Sequence, residues 1–119
     1  MEIRKWLEAI SKTIDTKDAA GFSEFLTEDC TFRFGNQPEV KGRQATKDYV
    51  AVFFDMIGGS EHRIEDIFEK ENSYVWQGEV LYTRKDGKKV GVKFANIFHM
   101  EGELIKDYLI YIDNAPLFA

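Results

Sequence analysis

Two different periodicities divide this sequence. Over residues 62–113 side chains alternate along short runs, as in strands that bury one face. Upstream, apolar residues recur at helical spacing instead. Ile3, Trp6, Leu7, Ile10 and Ile14 follow i, i+3, i+4, i+7, i+11. Helices first and alternation afterwards segregate the helices from the sheet, which is the α+β class.

The boundaries follow from the breakers. Asp15 to Lys17 interrupts the first helix. Thr16 or Asp18 can cap a second, shorter helix through Ala19, Ala20, Phe22, Phe25 and Leu26. Cys30 to Asn36 reads as a strand, with Phe32 and Phe34 on one face and Thr31 and Arg33 on the other. Gly35-Asn36-Gln37-Pro38 makes a turn. A third helix runs from Arg43 to Ile57 with Ala45, Tyr49, Val52, Phe53 and Met56 as its apolar stripe, and Gly58-Gly59 stops it. Four strands follow, over residues 62–70, 73–84, 89–100 and 104–113. Asp86-Gly87 is a hairpin signal between the second and third of these.

The length of 119 residues fits one domain, spanning 1–119. Ten Phe, five Tyr and two Trp supply a large core without disulfides. The net charge of −5 argues against nucleic acid as a partner. Cys30 is the one cysteine, and the two histidines have no ligand spacing around them, so no metal site is expected. No phosphate-loop or dinucleotide motif occurs, and no cofactor is expected. Without an apolar run of about 18 residues no membrane association is expected. Residues Met1 to Trp6 lack a signal-peptide core, so the expected location is cytoplasmic.

The last strand is apolar on both faces: Tyr108, Ile110 and Ile112 on one, Leu109 and Tyr111 on the other. An antiparallel sheet with one wet face alternates cleanly. This expectation is of helices on one side and a second copy on the other, a homodimer through the outer sheet face.

Several segments in order resemble the NTF2-like superfamily in its SnoaL-like branch, which includes ketosteroid isomerases, limonene-epoxide hydrolases and polyketide cyclases. They are Asp18 to Phe34, Val40-Lys41-Gly42-Arg43 opening the third helix, Gly78-Glu79-Val80 with Tyr82, Phe94-Ala95-Asn96-Ile97-Phe98, and Tyr108 to Asp113 followed by Pro116-Leu117-Phe118. The resemblance implies a cone: three N-terminal helices packed on a strongly curved mixed or antiparallel sheet that encloses an apolar pocket. Such a pocket suits a small hydrophobic molecule fixed by a few polar groups.

The catalytic residues of the resembling enzymes do not carry over. The isomerases pair an Asp base with a Tyr and a protonated Asp. Those positions fall at Phe34, Ile10 and Asn96 here. The cavity Asp of the cyclases and hydrolases falls near Ile110, and the Asp–Arg–Asp set has no counterpart. A register slip would bring in Asp107 or Asp113 instead.

Other residues can act. Asn96 can donate and accept, and so polarise a carbonyl. Tyr82, Trp76 and Tyr108 are donors with apolar bodies. Phe34, Tyr49, Phe53, Phe94, Phe98 and Ile110 are expected beside them in the ligand site. Asp113 and His62 are the candidate catalytic proton carriers. Asp113 precedes Asn114-Ala115-Pro116 and equally suits a turn cap. His99 has the opposite parity to Asn96 and is expected on the outer face. The resulting expectation is an isomerase, cyclase or hydrolase of a small hydrophobic carbonyl compound. The alternatives are a hydrophobic-ligand carrier without chemistry and a dimerising interaction domain.

Overall fold

The computed structural model of the chain describes residues 2–118. The first helix, α1, spans Ile3–Asp15. Glu2 caps it by accepting from the backbone N–H of Arg4 and Lys5, which satisfies two otherwise orphaned donors. Leu7, Ile10 and Ser11 form its buried face. Asp18 caps α2, Ala19–Ser23, through the N–H of Gly21. This helix is shorter than its sequence suggests, because Leu26 already opens strand β1, Leu26–Phe34. The chain then forms β2, Val40–Lys41, whose two residues pair with β1 instead of joining the next helix. Helix α3 follows over Arg43–Met56. Strands β3 (Gly59–Lys70), β4 (Ser73–Thr83), β5 (Lys89–Glu101) and β6 (Leu104–Ile112) complete the sheet, and a 3-10 turn over Ala115–Phe118 ends the described chain.

The strands form one six-stranded sheet in the order β2-β1-β6-β5-β4-β3. Consecutive strands β3 to β6 pair antiparallel, whereas β1 lies parallel to β6 and makes the sheet mixed. Gly87 takes φ +87° at the β4–β5 turn, a conformation that glycine adopts without steric cost.

The sheet is curved and not closed, and local irregularities bend it. The β3–β4 register shifts between Ile64 and Asp66, leaving Glu65 as an extra residue. Across from this bulge Gly78 lets β3 come close: a Cβ there would stand 1.9 Å from the carbonyl oxygen of Arg63. The β5–β6 register shifts again between His99 and Met100.

The concave face carries the core. Trp76, Val80, Phe94, Phe98 and Tyr108 are buried against Leu7, Ile10 and Phe22 from the helices. Helix α3 buries a different face from the one its spacing suggested. Thr46, Val50 and Phe54 face inward, Tyr49 and Phe53 of the expected stripe pack at the edge of the core, and Val52 and Met56 are 62% and 51% exposed. Thr46 is a core residue despite its hydroxyl, which lies 3.7 Å from the Cys30 sulfur. With Thr counted as polar, the neighbouring stripe of Tyr49, Val52, Phe53 and Met56 looked like the more apolar one.

The outer face is partly apolar. Phe68, Val75, Ile97 and Leu109 form one row across four strands, each pairing with the next. Phe68 and Tyr111 on this face are exposed. His99 also lies on it, 3.1 Å from Asp107 on the neighbouring strand. No helix among the described residues is long and apolar enough to cross a membrane.

Candidate functional site

Between the helices and the concave face lies a hollow of about 40 Å³. Its wall is mostly aromatic and aliphatic, and the polar side chains on it are His62, Asn96, Tyr82 and Tyr108. Strands place them: Asn96 sits on β5 across from Ile110 of β6, which lines the same hollow. Tyr82 and His62 come from the same end of the β3–β4 pairing, where Ser60 faces Tyr82 and His62 faces Val80.

His62 is the centre of a built arrangement. Its Nδ1 lies 2.6 Å from Oδ1 of Asp15, and its backbone N–H donates to Oδ2 of the same carboxylate at 3.0 Å. The Ser60 hydroxyl donates to Oδ1 at 2.8 Å. One carboxylate at the end of α1 therefore takes three hydrogen bonds from the start of β3. Burial raises the Asp15 pKa, but the bonds and charge of His62, with Ser60, outweigh it and hold Asp15 below the ordinary carboxylate range. An ionised Asp15 makes Nδ1 the donor of this pair and leaves Nε2 outside it, on a ring that lines the hollow. The His62 ring packs against Trp76 and Phe94, each at a centroid distance of 5.6 Å. Only 9% of its side chain is exposed.

The other polar groups are buried with unused capacity. Asn96 Oδ1 and Trp76 Nε1 have no hydrogen-bond partner, and the two residues sit opposite each other on β4 and β5. Burial pushes the phenols of Tyr82 and Tyr108 well above the ordinary tyrosine range; at Tyr82 a hydrogen bond with the Asn114 side chain opposes this and the Asp15 charge adds to it. Both hydroxyls stay protonated and able to donate.

The residues singled out in the sequence divide among three places. His62, Asn96, Tyr82, Tyr108, Phe34, Phe53, Phe94 and Ile110 line the hollow. Trp76 and Phe98 are fully buried behind its wall, stacked with ring centroids 6.4 Å apart. Tyr49 and Asp113 belong to a separate outer depression. Asp113 is exposed there, and its Oδ1 accepts from the N–H of Ala115 at 3.0 Å, a turn cap. In the sequence Asp15 reads only as a helix terminator. Its position was a signal all the same, because a carboxylate in the last turn of a helix opposes the helix dipole and needs a compensating partner. Among the described residues no three His, Cys, Asp or Glu side chains gather as metal ligands would.

The family model described as SnoaL-like domain matches residues 3–108. The chain belongs to the SnoaL-like family. Solved structures agree on the fold of this SnoaL-like chain. An NTF2-like protein from Anabaena variabilis superimposes with a TM-score of 0.82 at 21% identity, covering 93% of this chain and 86% of that one. A putative SnoaL-like polyketide cyclase from Jannaschia gives 0.77 at 17% identity, covering 94% and 88%. An epoxide hydrolase from M. tuberculosis, described as LEH-like, gives 0.78 at 15% identity, covering 94% and 83%. No curated protein matches the chain. At these identities the SnoaL-like fold is shared, and activity has to be argued from the site.

Proposed function

We propose that this SnoaL-like protein is a proton-transfer enzyme acting on a small hydrophobic carbonyl compound, with His62 as the proton carrier. The observation that carries the reading is the 2.6 Å contact between His62 Nδ1 and Asp15 Oδ1, which commits Nδ1 and leaves Nε2 toward an apolar hollow. An imidazole oriented by a carboxylate in this way can act as a general base through its other nitrogen.

The chemistry runs through proton movement alone. A C–H bond beside the substrate carbonyl breaks, its proton passes to Nε2, and the electron pair moves onto the carbonyl oxygen as an enolate. The protonated phenols of Tyr82 and Tyr108 and the amide of Asn96 are the donors available to that oxygen. His62 then returns the proton at carbon or oxygen, and Asp15 remains ionised throughout. The pairing of a carboxylate with a histidine replaces the carboxylates that the resembling enzymes use.

Deuterium exchange tests this directly. A hollow of about 40 Å³ admits a ketone only when its wall moves outward, so acetone and small cyclic ketones in D2O are followed by NMR with the wild-type chain, His62→Gln and Asp15→Asn. General base catalysis predicts exchange by the wild type and a loss on the order of 100-fold or more in His62→Gln. Absence of exchange above buffer with the wild type across the ketone panel supports the carrier reading instead.

We also infer that a second copy covers the outer sheet face. The row of Phe68, Val75, Ile97 and Leu109 is apolar where a one-sided sheet is normally polar. It is flanked by polar pairs, Arg63 with Glu79 and His99 with Asp107, so a two-fold related copy can meet complementary groups. A dimer in sedimentation velocity that becomes monomeric in Ile97→Glu supports the inference, and a monomeric wild type removes it.

A further inference from the structure

Asn96 is 3% exposed and lines the hollow, and its Oδ1 accepts no hydrogen bond among the described residues. Buried acceptors are nearly always paired, because one taken from water without a new partner costs more than a made bond returns. Trp76 faces Asn96 across the β4–β5 pairing, is fully buried, and has an unpartnered indole N–H. The strands therefore set a free donor beside a free acceptor without joining them. The Trp76 ring packs instead against His62 and Phe94, with centroids 5.6 and 5.0 Å away. On the other side of Asn96, Ile110 has no polar group to offer.

The polar side chains that share the hollow, His62, Tyr82 and Tyr108, do not donate to Asn96 Oδ1 either. The phenols suit the carbonyl oxygen of a ligand, and the imidazole suits its C–H. A plain ketone has no polar proton to give, so it would leave Oδ1 unpartnered. A hydroxyl supplies that proton.

We propose that the hollow is built for a hydroxyl as well as a carbonyl, with Asn96 Oδ1 accepting from the hydroxyl, so that the ligand class is the small hydroxyketones. The carbonyl half rests on the proton-transfer reading given above, and the hydroxyl half rests on Asn96. Asn96 Nδ2 is a separate group and keeps its role toward the carbonyl oxygen. The C–H that gives its proton to His62 is then on the carbon between hydroxyl and carbonyl, and the hydroxyl itself stays bonded.

Hydroxyacetone and butanone test this, since they have equal numbers of heavy atoms and differ by a hydroxyl in place of a methyl. Apolar burial alone favours butanone. Each is titrated into the isotope-labelled full chain and followed by NMR. Hydroxyacetone is expected to bind at least about tenfold more tightly, with Overhauser contacts to the Asn96 side-chain amide. Asn96→Leu should abolish the preference, and Asn96→Asp, which keeps an acceptor, should retain it. Circular dichroism and thermal melts establish that each variant is folded. The wild-type comparison needs no variant: equal affinity, or tighter binding of butanone, overturns the proposal. So does a preference that survives Asn96→Leu, or one lost in Met56→Ser, which would place the probe in the outer depression. Deuterium exchange on the same pair separates the two readings. A preference for hydroxyacetone without exchange above buffer removes proton transfer and supports the hydroxyl site as that of a carrier. Exchange of both ketones with equal affinity supports proton transfer and overturns the hydroxyl site.

Discussion

Asp15 and His62 are 47 residues apart in sequence, yet their side chains meet at 2.6 Å where the end of α1 touches the start of β3. The contact is part of the fold as well as of the site. Asp15 also receives the Ser60 hydroxyl and the His62 backbone N–H, so it ties a helix terminus to a strand terminus.

That double role predicts a pH-dependent cost for Asp15→Asn. The Asp15 pKa is lowered in the folded state, so its ionised form stabilises the fold above the unfolded carboxylate pKa of about 3.9. This contribution is lost as pH falls through the lower, folded-state pKa. Urea denaturation at neutral pH should show Asp15→Asn less stable than wild type by about 2 kcal/mol, the scale of charged hydrogen bonds. The difference should shrink below about pH 4. A constant difference across that range would remove the electrostatic account.

At alkaline pH the buried phenols predict the opposite slope. Tyr82 and Tyr108 are raised in the fold mainly by burial. An unfolded chain ionises tyrosine near pH 10, so unfolding gains a proton-release term above that value. Ultraviolet titration should show these two phenols ionising only as the protein unfolds, with Tyr82→Phe and Tyr108→Phe each removing one such late-titrating group.

Gly78→Ala should be among the most damaging small substitutions in this chain. The new Cβ would stand 1.9 Å from the Arg63 carbonyl oxygen, a backbone atom held by the β3–β4 pairing. Relief requires moving one strand off the other at the bulge that bends the sheet. A loss of about 3 kcal/mol or more in urea denaturation is expected. A shift under about 1 kcal/mol would mean that the strands separate there easily.

Helix α3 offers a direct comparison of its two apolar faces. Phe54→Ala removes a ring that is 3% exposed and should cost about 3–5 kcal/mol. Val52→Ser changes a side chain that is 62% exposed and should stay within about 0.5 kcal/mol of wild type. Thermal and urea unfolding of the two variants check the assignment, and a reversed order would return the core to the other stripe.

Local sequence encodes helices α1 and α3, strands β3 to β6, the Asp86-Gly87 turn and the aromatic filling of the concave face, but not the start of β1 or the short strand β2. Each of these rests on periodicity or turn preference, which near neighbours in the chain encode. It also offers His62 as one of two histidines and Asn96, Tyr82 and Tyr108 as inward hydrogen-bonding groups, which line the hollow, together with Asp113, which caps a turn outside it. Long-range packing sets the rest. The parallel pairing of β1 with β6, the face that α3 buries and the meeting of Asp15 with His62 depend on how distant segments pack. Spacing along the chain carries no record of which helix end will lie against which strand end. Such a contact is fixed by sheet curvature and core volume, and these exist only once the chain has closed on itself.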